Sequence, residues 1–232
     1  NSKVYVSDPT WNNHIAIFAG AGFEVEEYPY FDPKTKGVDF AAFFKKMEEI
    51  PEESIVVLHA CCHNPTGADL STEEWQQLAE LFKARNLIPF LDMAYQGFSK
   101  GIREDAEAIH IFAEKEMPVF IATSFSKSFS LYSERIGALT VITSDKEEQE
   151  RVTSQLKIMV RAIYSSPPSY GAQIVHYVLA DDQLRAEWEA ELAEMRDRIK
   201  TMRSKFVELL NSKQDKIDFS FINDQAGMFS YS

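Results

Sequence analysis

The sequence predicts an α/β protein with a mainly parallel sheet sandwiched by helices. Short apolar runs rich in Val, Ile and Phe alternate with segments of helical periodicity, as in sheets built from strand–helix–strand units. Polar clusters follow three of these runs, at the position where ligands bind in such sheets. The 232 residues, 45% hydrophobic and 26% charged, suffice for a sizeable core.

Six strands and four helices are predicted in the first 142 residues. The strands are runs of β-branched and aromatic residues, at 3–6, 24–30, 54–59, 88–92, 119–124 and 137–142. The helices between them have apolar residues at spacings of three and four, at 13–21, 40–49, 72–85 and 105–114. Strands and helices therefore alternate along the chain.

One long helix is predicted near the end of the chain. Its apolar stripe is Leu184, Trp188, Leu192, Met195, Ile199, Met202, Phe206 and Leu209. A helix of roughly 30 residues is about 45 Å long, more than one core normally needs. We interpret it as a connection between domains, with a coiled-coil partner as the alternative.

Two domains are expected from this arrangement. Residues 1–181 would form the large domain, and residues 182–232 the connecting helix and the start of a smaller domain. We predict that residues 218–232 are the first strand of that smaller domain. The abrupt start "NSKVYVSDPTW" and end "GMFSYS" lead us to expect a fragment that lacks most of the small domain.

Charge and cysteine content narrow the class of partner. A net charge of -12 would repel nucleic-acid phosphates and anionic lipid, which favours a small-molecule partner. No apolar run reaches the roughly 18 residues of a membrane span, and no basic-then-apolar leader opens the sequence. The adjacent Cys61 and Cys62 cannot build a disulfide framework, so we expect the cytoplasm. We expect no zinc beside His59 and His63, because no second ligand cluster has metal spacing.

Three polar segments follow three predicted strands. "ACCHNPTGAD" directly follows the 54–59 run, "DMAYQGF" begins at the last residue of the 88–92 run, and "SFSK" begins at the last residue of the 119–124 run. The carboxyl ends of parallel strands lie at one edge of a sheet. The three segments are therefore predicted to meet in one crevice.

Asp92 and Lys127 in these segments point to one cofactor. A carboxylate or ammonium at the end of an apolar strand is costly unless partnered, and a desolvated lysine is a better nucleophile. Pyridoxal phosphate would satisfy both residues, since its aldehyde bonds to lysine and its ring nitrogen pairs with a carboxylate. Its phosphate would find donors in Ser124, Ser126 and Arg135.

Each of these residues also has an ordinary interpretation. Lys127 alone could be a surface lysine, Asp92 could cap a helix, and Arg135 could pair with a surface carboxylate. Trp11 and Tyr95 could be core or rim aromatics. Only their combination favours a cofactor site.

The segments "HNPTG", "DMAYQGF" and "SFSKSFSLYSERIGAL", in this order and spacing, resemble the class I aminotransferases of the aspartate and aromatic amino-acid branch. The resemblance covers nearly the whole chain, and "CCHNPTGADL" and "FSLYSER" look closest to the bacterial aromatic type. It implies the large domain of a fold-type I pyridoxal-phosphate transferase. It also implies transfer of an amino group between aspartate or aromatic amino acids and 2-oxoglutarate through a pyridoxal/pyridoxamine phosphate shuttle.

The resemblance implies a role for each matching residue. Lys127 would form the internal aldimine and then act as the general acid/base, and Asp92 would keep the ring nitrogen protonated. Tyr95 and Asn64 would hydrogen-bond the phenolic oxygen of the ring and lower the Schiff-base pKa. Trp11 would stack on the ring.

Further roles concern the phosphate, the ring surroundings and the substrate. His14 would support Asp92 from behind, and His59 would lie near the ring without a direct chemical role. The phosphate would be bound by Ser124, Ser126 and Arg135. Trp11 and Asn64 would also contact substrate.

Arg161 and Ser165 imply a homodimer with shared active sites. In the family, the matching arginine crosses the interface to bind the distal carboxylate of a dicarboxylic substrate, and the matching serine faces the neighbouring site. The glycine-containing phosphate loop, a tyrosine that reaches the partner's phosphate and the arginine for the substrate α-carboxylate lie outside residues 1–232. We therefore expect weak activity, or none, from this chain alone. A lyase or decarboxylase on the same fold, and a non-catalytic domain, are the alternatives.

Overall fold

The computed structural model describes residues 3–213 and 216–230 and confirms the predicted α/β class. Six strands form the main sheet: β1 (Lys3–Asp8), β2 (Glu24–Pro29), β5 (Ile55–His59), β6 (Ile88–Met93), β7 (Val119–Ser124) and β8 (Gly137–Ile142). Their order is β2-β1-β5-β6-β7-β8, and every neighbouring pair is parallel except β7 with β8. Strands β3 (Phe31–Asp32) and β4 (Gly37–Val38) form a separate antiparallel pair.

Helices connect the parallel strands and continue beyond the sheet. They are α1 (Asn12–Gly20), α2 (Phe40–Glu49), α3 (Thr72–Ala84), α4 (Glu107–Ala113), α5 (Lys146–Ile163), α6 (Tyr170–Ala180), α7 (Asp182–Lys213) and α8 (Phe221–Asp224). A 3₁₀ turn at Glu104–Ala106 precedes α4. All six strands and all four early helices predicted from the sequence are present, with small shifts at their ends.

Burial explains why the strands were recognisable in the sequence. Val56, Val57 and Leu58 of β5 are each at most 1% exposed, because helices cover both faces of the central sheet. Local signals fix the helix ends. Ser71 and Glu74 form a reciprocal capping box at the start of α3.

Helices α5 and α6, and the short α8, were not predicted. No residue of α5 is buried, and its apolar stripe, which includes Val152, Leu156 and Val160, is only partly covered by the described residues. The helix is stabilised locally: the Asp145 side chain accepts a hydrogen bond from the Glu148 amide, and Glu147 pairs with Arg151 one turn later. The apolar stripe, the cap and the acidic residues in the first turn were signals in the sequence that the prediction missed.

The predicted long helix is confirmed as α7, with 32 residues. The strand predicted for residues 218–232 is wrong for the described part, and residues 231–232 lie outside it. The Asp218 side chain instead accepts hydrogen bonds from the amide and hydroxyl of Ser220, and α8 follows. Residues 225–229 follow in a non-strand conformation. Their carbonyls at Gln225, Gly227 and Phe229 accept hydrogen bonds from the Arg203 side chain.

None of the helices within the described ranges combines the length and the apolar character of a transmembrane span. The longest, α7, carries charged residues along its whole length.

The strand register sets the position of the site. His59 lies opposite Asp92 across β5 and β6, and Asp92 lies opposite Ala122 across β6 and β7. Because these strands are parallel, the segments that follow them leave the sheet at one edge. The β1–α1 connection, which contains Trp11, leaves at the same edge.

Candidate active site

One cavity of about 260 Å³ lies at this edge of the sheet, far larger than the ~10–15 Å³ that a single water needs. It brings together nine of the residues predicted to surround the ligand: Trp11, His59, Asn64, Asp92, Tyr95, Ser124, Ser126, Lys127 and Arg135. Ala94 and Tyr132 complete the lining. Segments that are distant in the chain thus meet around one space, as expected.

Asp92 is held in place from behind the cavity. His14 Nε2 lies 2.8 Å from Asp92 Oδ2, and Thr10 Oγ1 lies 3.0 Å from His14 Nδ1. A neutral imidazole with its proton on Nε2 satisfies both contacts, because the carboxylate only accepts and the hydroxyl can donate. Burial alone would raise the pKa of the Asp92 carboxyl, but the hydrogen bond from His14 and nearby positive charge, including that of Lys127, together outweigh burial and lower it.

Lys127 lies three residues after the end of β7. Its Nζ is 4.7 Å from the centre of the Tyr95 ring. Burial lowers the pKa of the Lys127 amine, Asp92 opposes the shift, and the Arg135 cation adds to it. A larger fraction of this amine is therefore neutral, and so nucleophilic, than for an exposed lysine.

The side of the cavity near Lys127 is rich in hydrogen-bond donors. The chain turns sharply there, since Ser130 and Arg135 both have positive φ, 55° and 51°. Arg135 uses Nη1 to donate to the Tyr132 carbonyl, 2.8 Å away. Its guanidinium has five N–H donors, and the Tyr132 carbonyl is the one acceptor found for it within residues 3–213 and 216–230, so the other donors can serve an anion. The hydroxyls of Ser124 and Ser126 line the same cavity.

Two buried imidazoles behind the cavity, those of His59 and His63, have lowered pKa values. His59 is buried, its two ring nitrogens have no hydrogen-bond partner among the described residues, and burial lowers its pKa well below the usual value. Its ring packs between those of His14 and His63, at centroid distances of 4.9 and 4.3 Å. Burial also lowers the pKa of His63, to about 3. Unsatisfied nitrogens at a cavity wall indicate that a further polar group belongs beside His59.

Two clusters of ligand-type atoms occur in the described ranges, each with its atoms within 4.8 Å of one another. They are His14 with His59 and Asp92, and Cys61 with Cys62 and Asp105. Asp92 already accepts from His14, and burial and the hydrogen bond from Cys62 raise the pKa of the Cys61 thiol. The expectation of no metal therefore stays a prediction.

Three predicted residues do not line the cavity. His14 lies behind Asp92. Arg161 and Ser165 are exposed at the end of α5, where Arg161 Nη1 donates to Ser165 Oγ over 3.0 Å. Sequence reasoning had assigned no role to Thr10 or Tyr132. The only signals were the position of Thr10 one helical turn before His14 and that of Tyr132 in the segment between Lys127 and Arg135.

Comparison with known proteins identifies the family of the chain that forms this site. The family model described as aminotransferase class I and II matches residues 1–232. The chain belongs to this family. It is 51% identical over 232 residues to the aspartate aminotransferase of Pseudomonas aeruginosa, and 53% identical over 231 residues to the aromatic-amino-acid aminotransferase of Escherichia coli. Each alignment covers 100% of this chain and 58% of the relative.

Solved structures of the family have the same fold. The aromatic-amino-acid aminotransferase of Burkholderia pseudomallei, covalently bound to pyridoxal phosphate, superposes with a TM-score of 0.99 at 55% identity. That comparison covers 100% of this chain and 58% of the other. The chain thus spans less than two thirds of the length of these aminotransferases.

Proposed function

We propose that the protein is a pyridoxal-phosphate-dependent aminotransferase that acts on aspartate or aromatic amino acids, with 2-oxoglutarate as amino acceptor. The observation that carries the proposal is the meeting of one amine, one carboxylate and a set of anion donors in a single cavity, at Lys127, Asp92 and Arg135. The family and the relatives named above support the same activity.

The residues present fit the cofactor. The partly neutral Lys127 amine suits covalent attachment of an aldehyde, and the Asp92 carboxylate suits a protonated ring nitrogen. The Arg135 guanidinium and the hydroxyls of Ser124 and Ser126 suit a phosphate. When bound, pyridoxal phosphate supplies an electron sink and a carrier for the amino group.

Chemistry at the substrate then falls to Lys127. Once its amine is free, Lys127 would act as the general acid/base that moves a proton between the substrate α-carbon and the cofactor. The charge of Asp92 would keep the ring nitrogen protonated, and His14 would hold that carboxylate in its ionised form.

The remaining predicted contacts concern the ring and its phenolic oxygen. Tyr95 and Asn64 would donate hydrogen bonds to that oxygen, which favours its anionic form and lowers the pKa of the attached lysine nitrogen. Trp11, 40% exposed at the cavity, would cover one face of the ring and border the substrate together with Asn64. The unsatisfied nitrogens of His59 would face the same space.

Substrate choice is proposed to depend on a homodimer in the cytoplasm. Arg161 and Ser165 would reach the partner's site, where the guanidinium would bind a dicarboxylic substrate. The exposed apolar side chains around them support an interface: Ile158, Met159, Ile163, Tyr164, Tyr170 and Tyr177. The two cysteines are free and buried, as expected in a reducing compartment.

Titration with pyridoxal phosphate, followed by borohydride reduction and peptide mapping, tests the cofactor role. The wild-type protein should gain a near-ultraviolet band and carry the label on Lys127. Lys127→Ala should gain neither, whereas Lys83→Ala, which removes an exposed lysine of α3, should behave as wild type. A labelled lysine elsewhere, or an unchanged band in Lys127→Ala, would refute the proposal.

The type of reaction needs its own assay. In the full-length protein, transfer of ¹⁵N from aspartate to 2-oxoglutarate is expected, without release of carbon dioxide by the enzyme. Carbon dioxide release without nitrogen transfer would point to a decarboxylase on the same fold.

Mixing two inactive variants tests the shared site. Lys127→Ala and Arg161→Ala subunits should regain about a quarter of wild-type activity toward aspartate when they exchange, because one site of each mixed dimer is intact. No recovery in dimers shown to have exchanged would remove Arg161 from the partner's site.

A further inference from the structure

Arg203 of α7 binds three backbone carbonyls at once. Its Nη1 donates to the Gln225 carbonyl. Its Nη2 donates to the carbonyl oxygens of Gly227 and Phe229, which both lie 2.8 Å from it. No carboxylate of the described residues lies within ion-pair distance of Arg203. The guanidinium therefore binds backbone carbonyls and no carboxylate of the described residues. We name residues 225–229 the clamped segment.

The clamped segment packs closely on the turn that carries Asn64. The Ala226 amide donates to the Gly67 carbonyl over 2.6 Å. Gly67 has a φ of +69°, and a Cβ there would lie 2.6 Å from the Phe229 carbonyl oxygen. Only glycine fits so close an approach of two backbones.

A second glycine contact joins the same two parts of the chain. Gly227 has a φ of +72°, and a Cβ there would lie 2.5 Å from Cys62 Cβ. Cys62 is fully buried and two residues before Asn64. The clamped segment thus covers both ends of the 62–67 turn.

The clamped segment also contacts Tyr95. The rings of Phe229 and Tyr95 meet edge to face, with centroids 5.3 Å apart and planes at 90°. Cys62 Sγ in turn lies 3.8 Å from the Tyr95 carbonyl. Asn64 and Tyr95, the two proposed partners of the phenolic oxygen, therefore share one support.

Lysine could not reproduce the Arg203 contacts. The three carbonyls lie around one planar guanidinium with fixed donor directions, whereas an ammonium has three donors about a single atom. Burial lowers the pKa of Arg203, which shows that the group is drawn away from water to reach the carbonyls. The contacts must compensate that desolvation.

We propose that Arg203 is a positioning residue that holds Asn64 and Tyr95 against the cofactor ring through the clamped segment. The inference deepens the proposed function, on which its cofactor-dependent part rests. If the hydrogen bonds from Arg203 to the clamped segment are lost, Asn64 and Tyr95 move away from the phenolic oxygen. The pKa of the lysine nitrogen attached to the cofactor then rises.

Hydrogen exchange of the cofactor-free protein tests the mechanical part. In Arg203→Met, the amides of Gly67 and Ala226 should exchange at least about tenfold faster than in wild type, while that of Leu91 in β6 keeps its protection. Arg198→Met is the matched control, because Arg198 is exposed five residues earlier on the same helix. It should leave all three amides unchanged.

The absorbance of the bound cofactor, recorded against pH, tests positioning. Its midpoint should rise by about half a unit or more in Arg203→Met, rise less in Arg203→Lys, and stay at the wild-type value in Arg198→Met. An unchanged midpoint with faster exchange at Ala226 would make the clamp merely structural and overturn the proposal. Unchanged exchange at Gly67 and Ala226 would overturn it as well.

Global unfolding of Arg203→Met and a failure of the wild-type protein to bind cofactor are separate outcomes. If Leu91 also loses protection in Arg203→Met, the variant is globally unfolded, and the same two criteria apply to Arg203→Lys. If the wild-type protein binds no pyridoxal phosphate, the proposed function fails separately. The exchange experiment then still decides whether Arg203 orders the turn that carries Asn64.

Discussion

His14 and Asp92 are joined across 78 positions of sequence by a hydrogen bond of 2.8 Å between Nε2 and Oδ2. His14 is fixed in turn by Thr10 on its other nitrogen. The carboxylate at the end of β6 therefore enters the cavity with its charge supported from behind. This arrangement makes Asp92 a fixed anion rather than a group that changes protonation during a reaction.

Removal of His14 should destabilise the protein in a pH-dependent way. The pKa of Asp92 is lowered in the folded state, so its contribution to stability is present above the ordinary carboxyl pKa and is lost as the pH falls through the folded value. His14→Leu should cost about 1.5–3 kcal/mol at pH 7, the usual loss for a hydrogen bond to a charged group. The cost should shrink toward pH 3. Urea unfolding of the cofactor-free protein at both pH values measures it.

Asp92→Asn is the control for that experiment. In this background the His14→Leu cost should no longer shrink between pH 7 and pH 3, because no carboxylate remains to be protonated. A His14→Leu cost that is equally large at both pH values in the wild-type background would show that Asp92 is not the titrating partner.

Lys127 should titrate differently when its charged neighbours are removed. Burial and the Arg135 cation lower the pKa of the amine, and Asp92 raises it. Arg135→Leu should therefore raise the labelling midpoint of Lys127, and Asp92→Asn should lower it further. Competitive acetylation of the cofactor-free protein over a range of pH, read by peptide mass spectrometry, gives the midpoints. The exposed Lys83 provides the reference, and opposite signs would contradict the arrangement described for the cavity.

Much of the fold was predictable because buried strands consist of apolar residues, and such runs can be recognised in the sequence. The strand β5 is an unbroken apolar run, as expected for a strand with helices on both faces, and Lys127 follows the same kind of run in β7. Asp92 stood out because it ends the β6 run. The parallel topology then determined that these residues share one edge of the sheet.

Contacts between distant polar groups were not predictable from the residues themselves, and only the family resemblance implied that His14 supports Asp92. Thr10 is one of many threonines until the fold places His14 against Asp92. Arg203 looks like any charged residue of a long helix, and its partners are backbone carbonyls with no side-chain signature. Near the chain end, where a strand was predicted, these carbonyls accept hydrogen bonds from the Arg203 guanidinium.

Asp105 should be essential for the loop that follows Tyr95. One of its oxygens accepts from the amides of Gly97 and Ser99, and the other accepts from Lys100 and Gly101. Asp105→Asn replaces one acceptor by a donor and leaves two amides facing it, at an expected cost of about 2–4 kcal/mol in the free energy of unfolding.

Glu104→Gln is the matched control for Asp105→Asn, because the neighbouring Glu104 is exposed. It should change the free energy of unfolding by less than about 0.5 kcal/mol. Chemical denaturation of both variants measures the difference. Equal stabilities of the two would mean that the four amides find other acceptors.

The contact between Gly97 and Leu192 should behave as one steric unit. Gly97 has a φ of +93°, and a Cβ there would overlap Leu192 Cδ2 and lie 2.9 Å from Ile102 Cδ1. Gly97→Ala should therefore cost about 2–4 kcal/mol, from backbone strain together with overpacking. Leu192→Ala should cost about 2–5 kcal/mol, because it empties a site that is 1% exposed.

The double variant decides whether these costs share a cause. It should be more stable than the sum of the single costs predicts, by about 0.5–3 kcal/mol, because the truncated Leu192 leaves room for the new methyl group. It should not return to the stability of Leu192→Ala, since the backbone strain at a φ of +93° remains. Gly20→Ala is the control: a Cβ there meets no atom within 4 Å, so α1 should tolerate it or gain stability. Strict additivity at positions 97 and 192 would show that Leu192 of α7 and Gly97 are not in direct contact.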